Sequence, residues 1–152
     1  MIELQQLDIL CFQETHLNIN QSEYVTKRLA QSQFTSKFGE VEDGRGGVGF
    51  AVRKRVGDIV SSEFDPDGHW GFASIRLNCG RTLNILNLYC PQNVDQQPFW
   101  VEIEALLESL PEDLVMLGDF NNRVEQCDLA PNAAFSATDL QCKQMLDSLP
   151  KK

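Results

Sequence analysis

The sequence has no apolar run long enough to cross a membrane. A spanning helix needs about 18–20 consecutive apolar residues, and no apolar segment of this 152-residue chain approaches that length. The N-terminus also lacks the basic and then apolar pattern of a secretory signal peptide. We therefore expect an intracellular protein, nuclear or cytoplasmic, with no membrane as a partner.

The cysteines show neither a metal-binding nor a disulfide pattern. Their number is odd, none is arranged as Cys-x-x-Cys, and no pair of histidines accompanies them, which disfavours both a zinc site and a disulfide framework. In a predicted strand, a free thiol behaves as a small apolar residue. We expect reduced thiols in a reducing compartment. The cysteines are Cys11, Cys79, Cys90, Cys127 and Cys142.

Positive charge is scarce. The chain has 13 lysines and arginines against 22 aspartates and glutamates, and its formal net charge is -9. The only basic cluster is Arg53, Lys54 and Arg55, with Arg45 nearby. Proteins that bind a nucleic-acid backbone usually carry a basic patch, so the charge argues against tight DNA binding by the chain alone. Metal-dependent enzymes do concentrate carboxylates, and a bound cation offsets some of that charge.

No repeat, low-complexity tract or linker divides the chain, so residues 1–152 are predicted to form a single domain or part of one. A hydrophobic content of 42% is ordinary for a globular protein. Strand-like runs mixed with amphipathic helices predict an α+β fold, a layered α/β sandwich. The predicted strands are 7–13, 48–52, 59–64, 69–77, 81–88 and 114–121, and the predicted helices are 22–33, 98–110 and 138–149.

The most informative segment is Leu-Val-Met-Leu-Gly-Asp-Phe-Asn at 114–121, where an apolar run ends in Gly118 and two polar residues. Glycine permits close approach of backbone or ligand. Asp119 and Asn121 would point to the same side if the strand continued. A carboxylate and an amide placed together suit a site that orients water and binds phosphate oxygens. The alternative is an Asx-turn, in which both side chains cap local backbone groups.

Two further apolar runs end in polar residues. The run at 7–12 leads into Glu14, and the run at 83–88 leads into Tyr89. Three strands that each place a polar or ionisable residue at one end indicate a shared site. The alternatives are a glutamate that caps or pairs at a strand end, and an interior phenol with one satisfied hydrogen bond.

The chain carries four short motifs, in the order Gln13-Glu14-Thr15, Gly46-Gly47-Val48, Asn87-Leu88-Tyr89 with Pro91, and Gly118-Asp119-Phe120-Asn121. Together these motifs resemble the endonuclease/exonuclease/phosphatase superfamily. Its members include deoxyribonuclease-like nucleases, abasic-site repair endonucleases, inositol polyphosphate phosphatases and non-LTR retrotransposon endonucleases. The resemblance covers about residues 7–147 and implies a partial four-layer αββα sandwich.

The resemblance implies a role for each candidate residue. Glu14 is implied as a ligand of Mg²⁺ or Mn²⁺, since hard cations favour carboxylate oxygens, and Asp119 and Asn121 are implied at the same metal site. Asp119 would orient or deprotonate the attacking water, Asn121 would hydrogen-bond the phosphate, and Tyr89 would contact the phosphate region.

The substrate that the resemblance implies is DNA or another phosphodiester, and residues 121–131 look closest to retrotransposon endonucleases. Two alternatives remain. One is a phosphatase acting on inositol or other small phosphate esters, and the other is a non-catalytic remnant of such a domain.

The chain also departs from the family pattern. Family domains open with an Asn-bearing strand and close with an Asp and a His, whereas Glu14 lies 13 positions after Met1 and no histidine follows His69. We expect a domain truncated at both ends, with weak or no activity. The absent strand would leave a sheet edge open, which a partner chain could cover. His69 is expected in a surface turn, while His16 is near enough to Glu14 in sequence to approach the site.

Overall fold

The computed structural model describes residues 7–42, 44–92, 95–122, 139–140 and 142–144. Strands and helices are mixed, which confirms the predicted α+β class. The chain divides into two compact units, and the prediction of a single domain stays a prediction. The first unit is Met1–Tyr89 with Pro111–Asp119, and the second is Cys90–Leu110 with Phe120–Lys152.

The first unit contains a three-stranded antiparallel sheet in the order β1-β3-β2. β1 pairs with β3 along one side, and the described residues supply no strand to its other side. The prediction that another chain covers this edge therefore stays a prediction. The elements of this part are β1 (Ile9–Phe12), α1 (Ile19–Gln31), β2 (Phe34–Phe38) and β3 (Gly49–Arg53).

Helix α1 begins three residues before the predicted start, because the cap is Asn18 and not Ser22. The Asn18 side chain accepts from the Gln21 N–H, and the Gln21 side chain accepts from the Asn18 N–H, each at 3.1 Å. This reciprocal pair satisfies two N–H groups that the first turn leaves without partners. Ser22 is buried inside the first turn.

The first unit also contains a four-stranded sheet in the order β4-β5-β6-β7. β5 and β6 run antiparallel, whereas β6 and β7 run parallel. Parallel pairing brings the C-terminal ends of β6 and β7 to the same edge of the sheet. The strands are β4 (Gly57–Phe64), β5 (Trp70–Leu77), β6 (Thr82–Tyr89) and β7 (Leu114–Asp119).

The two sheets of this unit share a hydrophobic core. Buried side chains from β3, β5 and β6 form one cluster, so the sheets pack face to face. Burial of a large aliphatic or aromatic side chain typically contributes about 1.5–3 kcal/mol. The cluster therefore holds together the two sheets whose ends carry the polar residues. Its members are Phe50, Val52, Ala73, Ile75 and Ile85.

The second unit is built around α2 (Gln97–Ser109), which has Pro98 in its first turn, where the missing N–H costs nothing. The Trp100 ring lies parallel to the Phe120 ring at 6.2 Å. Residues 139–140 and 142–144 are helical, and the rest of the predicted last helix lies outside the described residues.

Within the part of the chain that the structure describes, no helix is long and apolar enough to span a membrane.

The cysteines of the described residues are free thiols that differ strongly in access. Burial raises the pKa of Cys11 to about 11. Burial, and then the negative charge of Asp139, raise the pKa of Cys142 to about 11. Cys90 is fully buried and Cys79 is exposed in the β5–β6 turn.

In a Cys127→Ser background, we expect iodoacetamide at about pH 8 to alkylate Cys79 first. A thiol with a pKa of about 11 is only ~0.1% thiolate at that pH, and the thiolate is the nucleophile. Cys11 and Cys142 should therefore react at least about 100-fold more slowly. Peptide mass spectrometry over time measures the order, and equal rates at Cys11 and Cys79 would contradict the burial of Cys11.

Candidate active site

Glu14 lies two residues after the end of β1 and has an exposed side chain. Its main chain is left-handed, with φ at 49°, and so is that of His16, at 52°. The Thr15 N–H donates to the Gly47 carbonyl at 3.1 Å, and the His16 N–H donates to the Gly46 carbonyl at 2.9 Å. The segment that carries Glu14 is thus held by main-chain hydrogen bonds on its C-terminal side.

The glycines at 46 and 47 make this close pairing possible. A Cβ atom at Gly47 would lie 2.5 Å from the Thr15 hydroxyl oxygen, and the residue has φ at +91°. The Gly47 N–H also donates to the Gly68 carbonyl at 3.0 Å. The loop therefore joins the segment after β1 to the turn before β5.

Tyr89, the last residue of β6, meets Glu14. Its phenolic O–H donates to Glu14 Oε1, although the two residues are 75 positions apart. The Tyr89 main-chain N–H donates to the His69 carbonyl at 2.6 Å. The hydrogen-bond partner of this half-buried phenol is therefore the carboxylate of another candidate residue.

Asp119, the last residue of β7, is the register partner of Tyr89 in the parallel β6–β7 pair. Side chains at partnered positions of neighbouring strands lie on the same face of a sheet. The Asp119 side chain is exposed. Within the first unit, the structure thus brings together three of the predicted residues, Glu14, Tyr89 and Asp119.

Gly118 allows β7 to pass close to β6. A Cβ atom at this position would lie 2.0 Å from the Leu88 carbonyl oxygen, and φ is +152°. Both the contact and the backbone conformation require glycine. The glycine before Asp119 therefore determines how closely the two strand ends approach.

Asn121 belongs to the second unit and is held there by the segment that follows β6. Its Nδ2 donates to the Cys90 carbonyl at 2.7 Å, and its Oδ1 accepts from Gln92 Nε2 at 2.5 Å. β7 ends at Asp119 and Asn121 has φ at 48°, so strand alternation does not continue to Asn121. The Cys90 carbonyl is 31 positions away, so this bond is not the local contact of an Asx-turn.

The sequence interpretation missed Gln92 and its neighbour Gln96. Gln96, 3% exposed, donates to the Pro91 carbonyl at 2.8 Å and accepts from Asn122 Nδ2 at 2.7 Å. Their only sequence signal was their position just after the Tyr89 motif. These amides connect the 90–92 segment to Asn121 and Asn122 within the second unit.

The two histidines differ in their surroundings. His16 is exposed, and its Nδ1 lies 2.9 Å from the Gly44 carbonyl oxygen. His69 is half-buried, which differs from the predicted surface histidine. Its main-chain N–H donates to the buried carboxylate of Asp65 at 2.8 Å, and its ring Nδ1 lies 3.5 Å from the same oxygen. The Asp65 contact accounts for the partial burial of His69.

The basic cluster at 53–55 lies at the opposite end of the three-stranded sheet from Glu14. Arg55 contacts Asp8 at 2.7 Å, and the Arg53 Nε lies 3.8 Å from the same oxygen. β3 runs antiparallel to β1, so its first residues, and not Arg53, adjoin the end of β1 that leads to Glu14. The cluster therefore does not supply positive charge beside Glu14.

The donor set suits a hard cation. Among the described residues, no group of three or more His, Cys, Asp or Glu side chains is placed to hold a metal ion. Zinc sites take three or four such ligands from the protein. Mg²⁺ needs only one or two carboxylates, with water and substrate phosphate completing its shell. The carboxylates of Glu14 and Asp119 match that second pattern.

The sequence matches the model of the endonuclease/exonuclease/phosphatase family over residues 1–126. This match confirms the predicted family resemblance, and family members generally use divalent metals. No curated protein sequence matches the chain significantly.

Solved structures share the fold at low sequence identity. The 3′ phosphatase NExo from Neisseria, bound to a product DNA hairpin, has 18% identity and a TM-score of 0.72 over 95% of this chain and 62% of its own. The APE2 catalytic domain from Xenopus laevis has 17% identity and a TM-score of 0.58 over 94% and 59%. The human Nocturnin catalytic domain has 16% identity and a TM-score of 0.55 over 78% of this chain and 53% of its own. The chain spans less than two thirds of each of these proteins.

Proposed function

The chain belongs to the endonuclease/exonuclease/phosphatase family, and from this premise we propose that it hydrolyses phosphodiester bonds in DNA with Mg²⁺ or Mn²⁺ as cofactor. The family consists of hydrolases that act on phosphodiesters or phosphate esters. The observation that supports the proposal most directly is the hydrogen bond from Tyr89 to Glu14, beside the register partner Asp119.

Each residue has a distinct part in this proposal. Glu14 would hold the cation, and the Tyr89 hydroxyl orients the Glu14 carboxylate. A bound divalent cation lowers the pKa of water and offsets negative charge on the phosphoryl group. Asp119 accepts a proton from the attacking water. The role of Asn121 in hydrogen-bonding the phosphate stays a prediction, because Asn121 belongs to the second unit.

The choice of DNA draws on the neighbours. NExo is a phosphatase whose structure contains a DNA product, and this chain shares its fold. The retrotransposon type stays a prediction, because it depends on residues 121–131 and most of these lie outside the described residues.

A second candidate function is hydrolysis of inositol or other small phosphate esters. The observations that favour it are the net charge of -9 and the position of the basic cluster at the far end of β1 and β3. A small ester needs no extended basic surface, whereas DNA binding normally does.

Substrate assays separate the candidates. With Mg²⁺, the chain should slowly convert supercoiled plasmid to nicked circles, and EDTA should stop the reaction. Release of phosphate from inositol phosphates without plasmid nicking would favour the second candidate. Absence of turnover on both substrates, with folding intact, would overturn the proposed function in favour of a non-catalytic remnant.

We expect Glu14→Gln to weaken Mn²⁺ binding by at least about tenfold, since a neutral amide is a poor replacement for a carboxylate ligand. Water proton relaxation enhancement measures Mn²⁺ binding directly, without any need for turnover. Glu63→Gln, the same change at an exposed position of β4, is the matched control. Its Mn²⁺ affinity should stay within about twofold of that of the unmodified chain. Equal weakening in both variants would indicate binding by general surface charge.

A further inference from the structure

One amide side chain connects the two sheets next to the candidate site. Asn87 lies on β6, in the four-stranded sheet, and is fully buried. Its Nδ2 donates to the Phe12 carbonyl at 2.9 Å and to the Gly49 carbonyl at 3.3 Å. Those carbonyls belong to β1 and β3, so a single side chain bonds the main chains of both strands in the other sheet.

The remaining polar atom of Asn87 is also used. Its Oδ1 accepts from Gln13 Nε2 at 2.5 Å. An asparagine amide has two N–H hydrogens and one carbonyl oxygen, and all three have partners here. The amide cannot rotate without losing several hydrogen bonds in an environment from which water is excluded.

These two residues are the chain neighbours of the candidate site. Gln13 immediately precedes Glu14, and Asn87 lies two residues before Tyr89 on the same face of β6. The Gln13–Asn87 bond therefore joins the same two segments that the Tyr89–Glu14 bond joins, at a more buried position. Residues 13 and 87 are 74 positions apart in sequence.

The hydrophobic cluster does not specify this alignment. Apolar packing is non-directional and roughly proportional to buried area, so the cluster holds the sheets together without selecting which strand ends face one another. Hydrogen bonds depend steeply on distance and angle. The buried Asn87 and the half-buried Gln13 supply directional contacts between the sheets at this edge.

We infer that Gln13 and Asn87 are positioning residues, which set the alignment of β1 against β6 and thereby the contact between Glu14 and Tyr89. The inference rests on the proposed function, in which that contact orients the cation ligand. A displacement of about 1 Å in a catalytic arrangement can lower a rate by about 100-fold. The pair therefore controls the geometry of the site without touching the substrate.

The test follows Tyr89 directly by NMR of protein labelled at the tyrosine ¹³Cζ atom. The chain has two tyrosines, Tyr24 and Tyr89. Tyr24 is 65% exposed on α1 and serves as an internal reference. Glu14→Met removes the carboxylate and defines the signal of Tyr89 without its acceptor.

Gln13→Met is the informative variant, because it keeps the side-chain length and removes the amide. Asn87→Ser is the second variant, and Asn84→Ser is the matched control. Asn84 is a buried amide on the same strand, but its hydrogen bonds among the described residues go to Ser74 and Asp113 and not to β1. Its loss should lower stability without moving the Tyr89 signal.

We expect Gln13→Met to shift the Tyr89 signal most of the way to its position in Glu14→Met, while Tyr24 stays in place. kcat should fall roughly tenfold, with KM changed by less than about twofold. Asn87→Ser should shift the signal in the same direction, and if that variant does not fold, Gln13→Met decides. A Tyr89 signal at its original position in Gln13→Met would overturn the inference.

The two proposals fail in different ways. The NMR readout requires no turnover, so a shifted Tyr89 in a chain that hydrolyses nothing would support the positioning role and overturn the proposed function. Normal hydrolysis with an unshifted Tyr89 signal in Gln13→Met would support the proposed function and overturn the positioning role.

Discussion

Asp119→Asn is expected to lower the rate of phosphodiester hydrolysis by about 10²–10⁴-fold, the range that a positioned general base contributes. Asparagine keeps the shape of the side chain but cannot accept the proton of the attacking water. Asp119 is exposed at the end of β7, so the change should leave the fold intact. Initial rates of plasmid nicking with Mg²⁺ measure the effect, with circular dichroism to verify folding.

The matched control for this substitution is Asp58→Asn. Asp58 is exposed on β4, and its carboxylate accepts from the Ile59 N–H at 3.0 Å. Asparagine can still accept that hydrogen bond, so the control removes one negative charge and little else. A rate within about twofold of the unmodified chain is expected for it. The same small change in Asp119→Asn would remove Asp119 from the catalytic step.

Gly118→Ala is expected to destabilise the fold by at least about 3 kcal/mol. The added Cβ would lie 2.0 Å from the Leu88 carbonyl oxygen, a distance that only a shift of backbone can relieve, and φ is +152°. Chemical denaturation with urea, followed by tryptophan fluorescence, measures the loss of unfolding free energy.

Gly80→Ala separates the two causes of that loss. Gly80 has φ at +85°, but a Cβ atom there would have nothing within 4 Å. It should therefore cost only the backbone strain, about 1 kcal/mol. Equal losses at the two glycines would show that the close approach of β7 to β6 does not depend on Gly118.

Much of the fold could be predicted because the signals are local. Apolar runs identified six of the seven strands that the described residues form, and Pro98 marked the start of α2. β2 was missed because Phe34–Phe38 is not an apolar run and is stabilised by pairing with β3 rather than by its own pattern. The helix start at Ile19 was missed because Ser22 and Asn18 are both plausible caps in sequence.

The candidate residues could be named from the sequence, but their contacts could not. The sequence shows that an apolar run precedes each of Glu14, Tyr89 and Asp119. A polar residue after such a run indicates the end of a buried strand. The hydrogen bond between Tyr89 and Glu14, and the register of Tyr89 with Asp119, join positions far apart in sequence. No local pattern encodes such pairings.

By itself, the sequence determined the family, the fold class and the approximate positions of most strands, since apolar periodicity and short motifs are local properties of the chain. Only the tertiary structure decided which of those ends meet. It placed the 53–55 cluster away from Glu14 and bonded Asn121 to Gln92. It also placed the buried amide of Asn87 between the sheets. The physical reason is that strand alignment across two packed sheets depends on directional hydrogen bonds between distant segments, and these exist only once the sheets have packed.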